Sequence, residues 1–169
     1  MAELTPLERL QPALLDRLTD DAPEQTREPR EARVITRQRL RAAVLRDLVW
    51  LFNATRPSDA SIDWEPFPDA ERSVLNFGLP ALSGETSATL DVTALEAHIR
   101  RAIVEFEPRI DPASLHVGAV ASELAIEHRN QIQIEIRGAL WAQPVPIELL
   151  LRTEVDLETG QVDVHDQSR

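Results

Sequence analysis

Residues 97–110 read AHIRRAIVEFEPRI, and the fold turns on how that stretch ends. Ile99, Ile103 and Phe106 recur at helical spacing, so one stripe faces a core. Pro108 then stops the helix, because the residue before a proline is pushed out of the α region. The spacing predicts a helix that ends at about Phe106 or Glu107, with Glu107 and Arg109 held on either side of a rigid ring. Three readings of that corner are open: a docking point for another protein, a helix stop whose charges are simply exposed, or an internal ion pair.

Upstream, Thr93-Ala94-Leu95-Glu96 has the form of a capping box and is expected to start this helix. Leu95, Ile99, Ala102, Ile103 and Phe106 form its predicted buried face. Downstream of Pro112 the apolar period changes from 3.6 to 2. Leu115 and Val117 alternate, as do Leu124 and Ile126 after an irregular 118–122. Glu127-His128-Arg129-Asn130 reads as a turn. Ile132, Ile134 and Ile136 alternate with Gln131, Gln133, Glu135 and Arg137, which predicts a strand with one wet face. Gln143-Pro144-Val145-Pro146 links to a strand carrying Ile147, Leu149 and Leu151. Glu158-Thr159-Gly160 then turns into a last strand at 161–164. Helices followed by an antiparallel meander predict an α+β domain.

The clearest helix lies earlier, at 36–54, TRQRLRAAVLRDLVWLFNA. Leu40, Val44, Leu48, Leu51 and Phe52 make its apolar face, with Trp50 at the edge as a partly buried flank. Arg37, Arg39, Arg41 and Arg46 crowd its first half, the wrong end for cations against the helix dipole. Acidic groups are therefore expected beside it, from this domain or from a partner. Before it, Thr5-Pro6-Leu7-Glu8 reads as a helix start, and Leu14, Leu15 and Leu18 as a second short turn. Proline and charge mark 22–31 as a linker. The expected organisation is an N-terminal arm and linker over 1–30, and one α+β domain over 31–169 with two main helices and short N-terminal helices on a small sheet. Between the long helices, residues 55–90 are rich in Pro and Gly. A bare loop of that length is improbable, so a short helix at 70–76, capped by Asp69, is expected there.

The chain has 169 residues, enough for one domain with a real core. It has no cysteine, so disulfides and thiolate metal sites are excluded. No window approaches a membrane span. The start, MAELTPLERL, is acidic and lacks an apolar run, so it is not expected to be a secretory signal, and a cytoplasmic protein is inferred. Net charge is −11, and all 18 basic residues are arginine. The acids concentrate after residue 60, and a negative body repels phosphate, which argues against nucleic acid. His98, His116, His128 and His165 are too far apart in sequence for a close-spaced zinc pair. There is no Gly-x-Ser-x-Gly and no Gly-rich phosphate loop. No catalytic, cofactor or metal residue is therefore assigned. Among 29 acids a pair at glycosidase separation could always be found, so the acid count says nothing about glycan cleavage.

Several stretches, in order along the chain, resemble the TssE family of type VI secretion baseplate subunits, which is related to contractile-phage baseplate wedge proteins and often labelled lysozyme-like. They are Leu14-Leu15-Asp16-Arg17-Leu18-Thr19-Asp20-Asp21, then 44–53 (VLRDLVWLFN), then Ser73-Val74-Leu75-Asn76-Phe77-Gly78-Leu79-Pro80, where Phe77 stands in place of the usual Tyr. Phe106-Glu107-Pro108-Arg109 and 151–160 (LRTEVDLETG) complete the set. The resemblance implies a structural role without catalysis. It implies Glu107, Pro108 and Arg109 as the partner-binding residues. It also implies wedge partners TssF, TssG and TssK, sheath partners TssB and TssC, and strand addition at a sheet edge as the sheath contact. A glycan-cleaving enzyme is the alternative reading, and a small-ligand module a third.

Overall fold

The computed structural model describes residues 13–19, 23–24, 36–57, 62–82, 90–120, 131–142 and 145–167. Within them the chain is α+β. Helices α1 (Leu14–Leu18), α2 (Arg37–Asn53), α3 (Pro68–Glu71) and α4 (Val92–Phe106) precede four strands: β1 (His116–Ala119), β2 (Gln131–Leu140), β3 (Ile147–Asp156) and β4 (Val162–Asp166). The strands form one antiparallel sheet in the order β1-β2-β3-β4, as the period-2 pattern predicts. The readings at 5–8, 124, 126, 127–130 and 143–144 lie outside the described residues, as does most of the 22–31 linker.

The register places Ile134 opposite Thr153 and Ile136 opposite Leu151. These residues face the helices and are buried, together with Leu149 and Val155. Thr153, also buried, donates its hydroxyl proton to the Ile134 carbonyl at 3.0 Å, so the core's one strand hydroxyl is satisfied. The opposite sheet face is polar and wet, with Gln133 bonded to Glu154 at 3.2 Å. Against the apolar face pack the stripes Leu40, Val44, Leu48, Leu51 and Phe52 of α2 and Leu95, Ile99, Ala102 and Ile103 of α4. Phe106, expected among them, is half-buried and meets Phe77 edge-on at 5.3 Å between ring centroids.

Helix caps differ in part from the sequence reading. Thr36 caps α2, its hydroxyl accepting from the Arg39 N–H. The cap of α4 is Asp91, not Thr93, with its carboxylate accepting from Ala94 N–H at 3.0 Å. A carboxylate at an N-cap also meets the positive end of the helix dipole, which favours it over a threonine two residues on. The single helix expected at 70–76 is two pieces. Pro68 starts α3 one residue after Phe67, so Asp69 lies inside it. A separate 3-10 turn, Val74–Asn76, is capped by Ser73. Trp50 is 53 % exposed, rather than partly buried, with the Arg46 guanidinium 5.4 Å over its ring.

Gly78 explains the tight return after this turn. Its φ is +122°, and a Cβ there would sit 2.2 Å from the Ala54 carbonyl oxygen, which accepts from Leu79 N–H. Only glycine fits. Gly118 differs: its φ is not positive and nothing lies within 4 Å of where a Cβ would be. Gly78→Ala is therefore expected to lower stability by about 2–4 kcal/mol. Gly118→Ala should be neutral or stabilise by up to about 1 kcal/mol through the unfolded state. Urea unfolding of both variants checks the contrast.

Candidate functional site

The corner at Pro108 is built by its backbone first. Glu107 ends α4, with its N–H donating to the Ile103 carbonyl. Its own carbonyl accepts from Ile110 N–H at 3.2 Å, so residues 107–110 form a turn with proline at its second position, where the fixed φ suits it. Arg109 carbonyl accepts from Trp141 N–H at 2.7 Å, and Asp111 N–H donates to the Ala139 carbonyl at 2.9 Å. The corner is thus stitched to the end of β2, and Ile110 is buried against Leu140.

The side chains correct the expectation that two opposite charges stand free. Glu107 is only 3 % exposed. Its Oε1 accepts from Arg109 N–H at 3.2 Å and from Arg109 Nε at 2.6 Å, and its Oε2 accepts from Arg109 Nη2. The carboxylate is consumed within its own turn, which is the internal ion pair among the three readings. A bare carboxylate at that depth would cost several kcal/mol, so the guanidinium two residues on folds back over it. Pro108 is exposed. Arg109 keeps 22 % of its side-chain surface and reaches across to α2, where Nη2 also donates to Asp47 Oδ2. Burial works against its charge, but Glu107 and then Asp47 outweigh that and hold its pKa above the ordinary arginine value. Nη1 of Arg109 is buried and has no hydrogen-bond partner among the described residues.

Asp47 extends the network in the other direction. Its Oδ1 accepts from Arg46 Nε at 2.9 Å, and Arg46 Nη1 donates to Asp16 of α1 at 2.7 Å. The hydrogen bond that Arg46 donates to Asp16 is the main reason the Arg46 pKa is raised. Five alternating charges, Asp16, Arg46, Asp47, Arg109 and Glu107, therefore run from α1 to the corner. Among the described residues, two of the four arginines in the first half of α2 meet acids of the chain itself: besides Arg46, Arg41 lies 3.6 Å from Asp166 of β4. Asp47 was absent from the sequence-predicted site. It is the lone acid in 36–54, and that isolation among arginines was the available signal.

One cleft, about 260 Å³, opens between the end of α2 and the β3–β4 turn, lined by Asn53, Thr55, Pro80, Thr159 and Gln161 among others. It lies below the usual range for small-molecule sites, roughly 300–1,000 Å³, and no Asp or Glu lines it. The carboxylate pair that glycan cleavage requires is not found there. Among the described residues no group of three His, Cys, Asp or Glu could hold a metal ion, and no helix is long and apolar enough to cross a membrane.

The pairing predicts unequal costs. Arg109→Ala leaves Glu107 buried and alone, about 3–5 kcal/mol. Glu107→Ala leaves Arg109 partly exposed and still paired with Asp47, about 1–3 kcal/mol. The double variant should cost clearly less than the sum, as a urea-unfolding double-mutant cycle reads directly.

The family described as baseplate wedge protein gp25 matches residues 38–145 of the chain. Neither the curated proteins nor the solved structures gave a match.

Proposed function

Because the chain belongs to the baseplate wedge protein gp25 family, we propose that it is a structural subunit of a type VI secretion baseplate, the TssE component, working in the cytoplasm without catalysis. In this reading residues 1–30 are an arm and 31–169 the wedge domain. The corner Glu107-Pro108-Arg109 docks to the wedge proteins TssF and TssG, beside TssK. Glu107 is the positioning residue, Pro108 fixes the turn, and Arg109 makes the contact.

The observation that supports the docking role is the part of the corner left open to a neighbour: Pro108 is exposed, and Arg109, held by Glu107 and Asp47, keeps 22 % of its side-chain surface. Arg109 Nε and Nη2 are both engaged. The guanidinium is thus fixed before a partner arrives, and a carboxylate or carbonyl that bonds its exposed part meets little further ordering cost.

Strand addition to the sheath proteins TssB and TssC falls best on β4. The outer edge of β1 is covered by α4: Glu96 accepts from Ala119 N–H at 2.6 Å, and Arg100 donates to the Leu115 carbonyl. On β4 Asn53 takes both the N–H and the carbonyl of Val162. The alternation of an antiparallel ladder turns the backbone of Val164 the same way, toward the open side.

Arg109→Lys tests the docking role without stripping Glu107 of a cation. It keeps the charge but not the planar fork. The variant is expected to retain its fold by circular dichroism and to lose most co-purification with TssF and TssG. Full co-purification would remove Arg109 from the interface.

A further inference from the structure

The described part of the loop between the long helices spends many hydrogen bonds on holding a tip whose apolar side chains stay exposed. Phe67 is 63 % exposed, Val74 79 % and Leu75 69 %. Around them the backbone is tied down. Ser73 accepts from Leu75 N–H and donates its hydroxyl proton to the Ala70 carbonyl at 2.8 Å. Asn76, buried, donates its amide to the carbonyls of Ala70 at 3.2 Å and Glu71 at 2.9 Å. Asn76 N–H donates to Ser73 and Phe77 N–H to Val74. Below the tip, Gly78 accepts no other residue. A floppy loop with exposed aliphatics needs no explanation; a braced one does, because bracing removes the ordering cost that a binding loop otherwise meets on association.

The charges flanking the tip in sequence are mostly acidic. Asp63, Glu65 and Asp69 are exposed, against Arg72 as the single base in residues 62–76. Glu71 is already paired with Arg101 of α4, which also holds Glu105. The tip joins the corner through α4: Phe77 meets Phe106, the residue before Glu107, edge-on. Tip and corner therefore share the C-terminal half of one helix.

We infer that Val74 and Leu75 form a preformed apolar knob that enters an apolar pocket rimmed by lysine or arginine on the wedge subunit that also receives Arg109. This rests on the assembly role proposed above. The excess of exposed acid over base in residues 62–76 disfavours a second copy of this chain as the occupant, since like charges repel, and favours a basic one.

Binding of the full chain to purified TssF–TssG complex, read by biolayer interferometry at 50 and 300 mM NaCl, tests the knob. Val74→Ser/Leu75→Ser alters only exposed side chains, so circular dichroism and Tm should match the unsubstituted chain. Its affinity should fall at least tenfold at both salts. Glu65→Lys/Asp69→Lys should weaken binding at 50 mM and approach the unsubstituted chain at 300 mM, as screened charges do. If the serine variant binds within twofold of the unsubstituted chain while Arg109→Lys is impaired, the knob is wrong and the assembly role stands. Lysine variants that bind equally or more tightly at 50 mM would overturn the basic pocket. An unsubstituted chain that ignores the complex would bring down the assembly role and the knob together.

Discussion

Glu107 takes a full negative charge to a place with almost no access to water, at the point where α4 ends and the chain turns toward the sheet. Isolated, that charge would not be tolerated there. It persists because Pro108 forces a turn that brings Arg109 back over it within two residues, and because the Arg109 backbone N–H adds a further hydrogen bond. The guanidinium then has a hand left for Asp47, so one local pair becomes a clamp between the two long helices. Beyond the turn, residues 109–111 bond to 139–141. The same few atoms thus fix where α4 stops, how it meets α2, and where the helical layer passes into the sheet.

Much of the architecture was legible because it depends on periodicity, which needs no knowledge of distant neighbours. The 3.6-residue stripe of α2 and the strict alternation of β2 each name their own buried face. The end of α4 was legible because a proline restricts its predecessor whatever surrounds it. The caps were less so. Thr93 and Asp91 both suit an N-cap, and the choice turns on which of them leaves the following residues free to coil. The break between α3 and the 3-10 turn depends on Asn76 reaching back to carbonyls at 70 and 71, a contact no periodicity announces.

The site divides along the same line. The sequence marks residues 107–109 as a stiff corner, and the arginine-rich start of α2 demands acids from somewhere. It does not reveal that the Arg109 surplus and the Asp47 deficit meet, since they are 62 residues apart. Nor does it reveal that Glu107 points inward. Whether a charge beside a proline is exposed or buried is decided by packing, here by the edge of β2 closing over the turn.

That inward placement changes what an assembly contact at this corner can mean. A free surface arginine would meet a partner at the full entropic cost of fixing a long side chain, and salt would screen it. An arginine already clamped by Glu107 and Asp47 has met most of that cost during folding. What it offers is geometry more than charge, because the alternating row from Asp16 to Glu107 is close to neutral. Discrimination then rests on whether a partner acceptor lies against the exposed part of the fixed guanidinium, and a misaligned neighbour gains little from the corner's electrostatics. A subunit that must sit in one orientation within a larger ring is better served by such a pre-set fork than by an exposed charge pair that any opposite surface would attract.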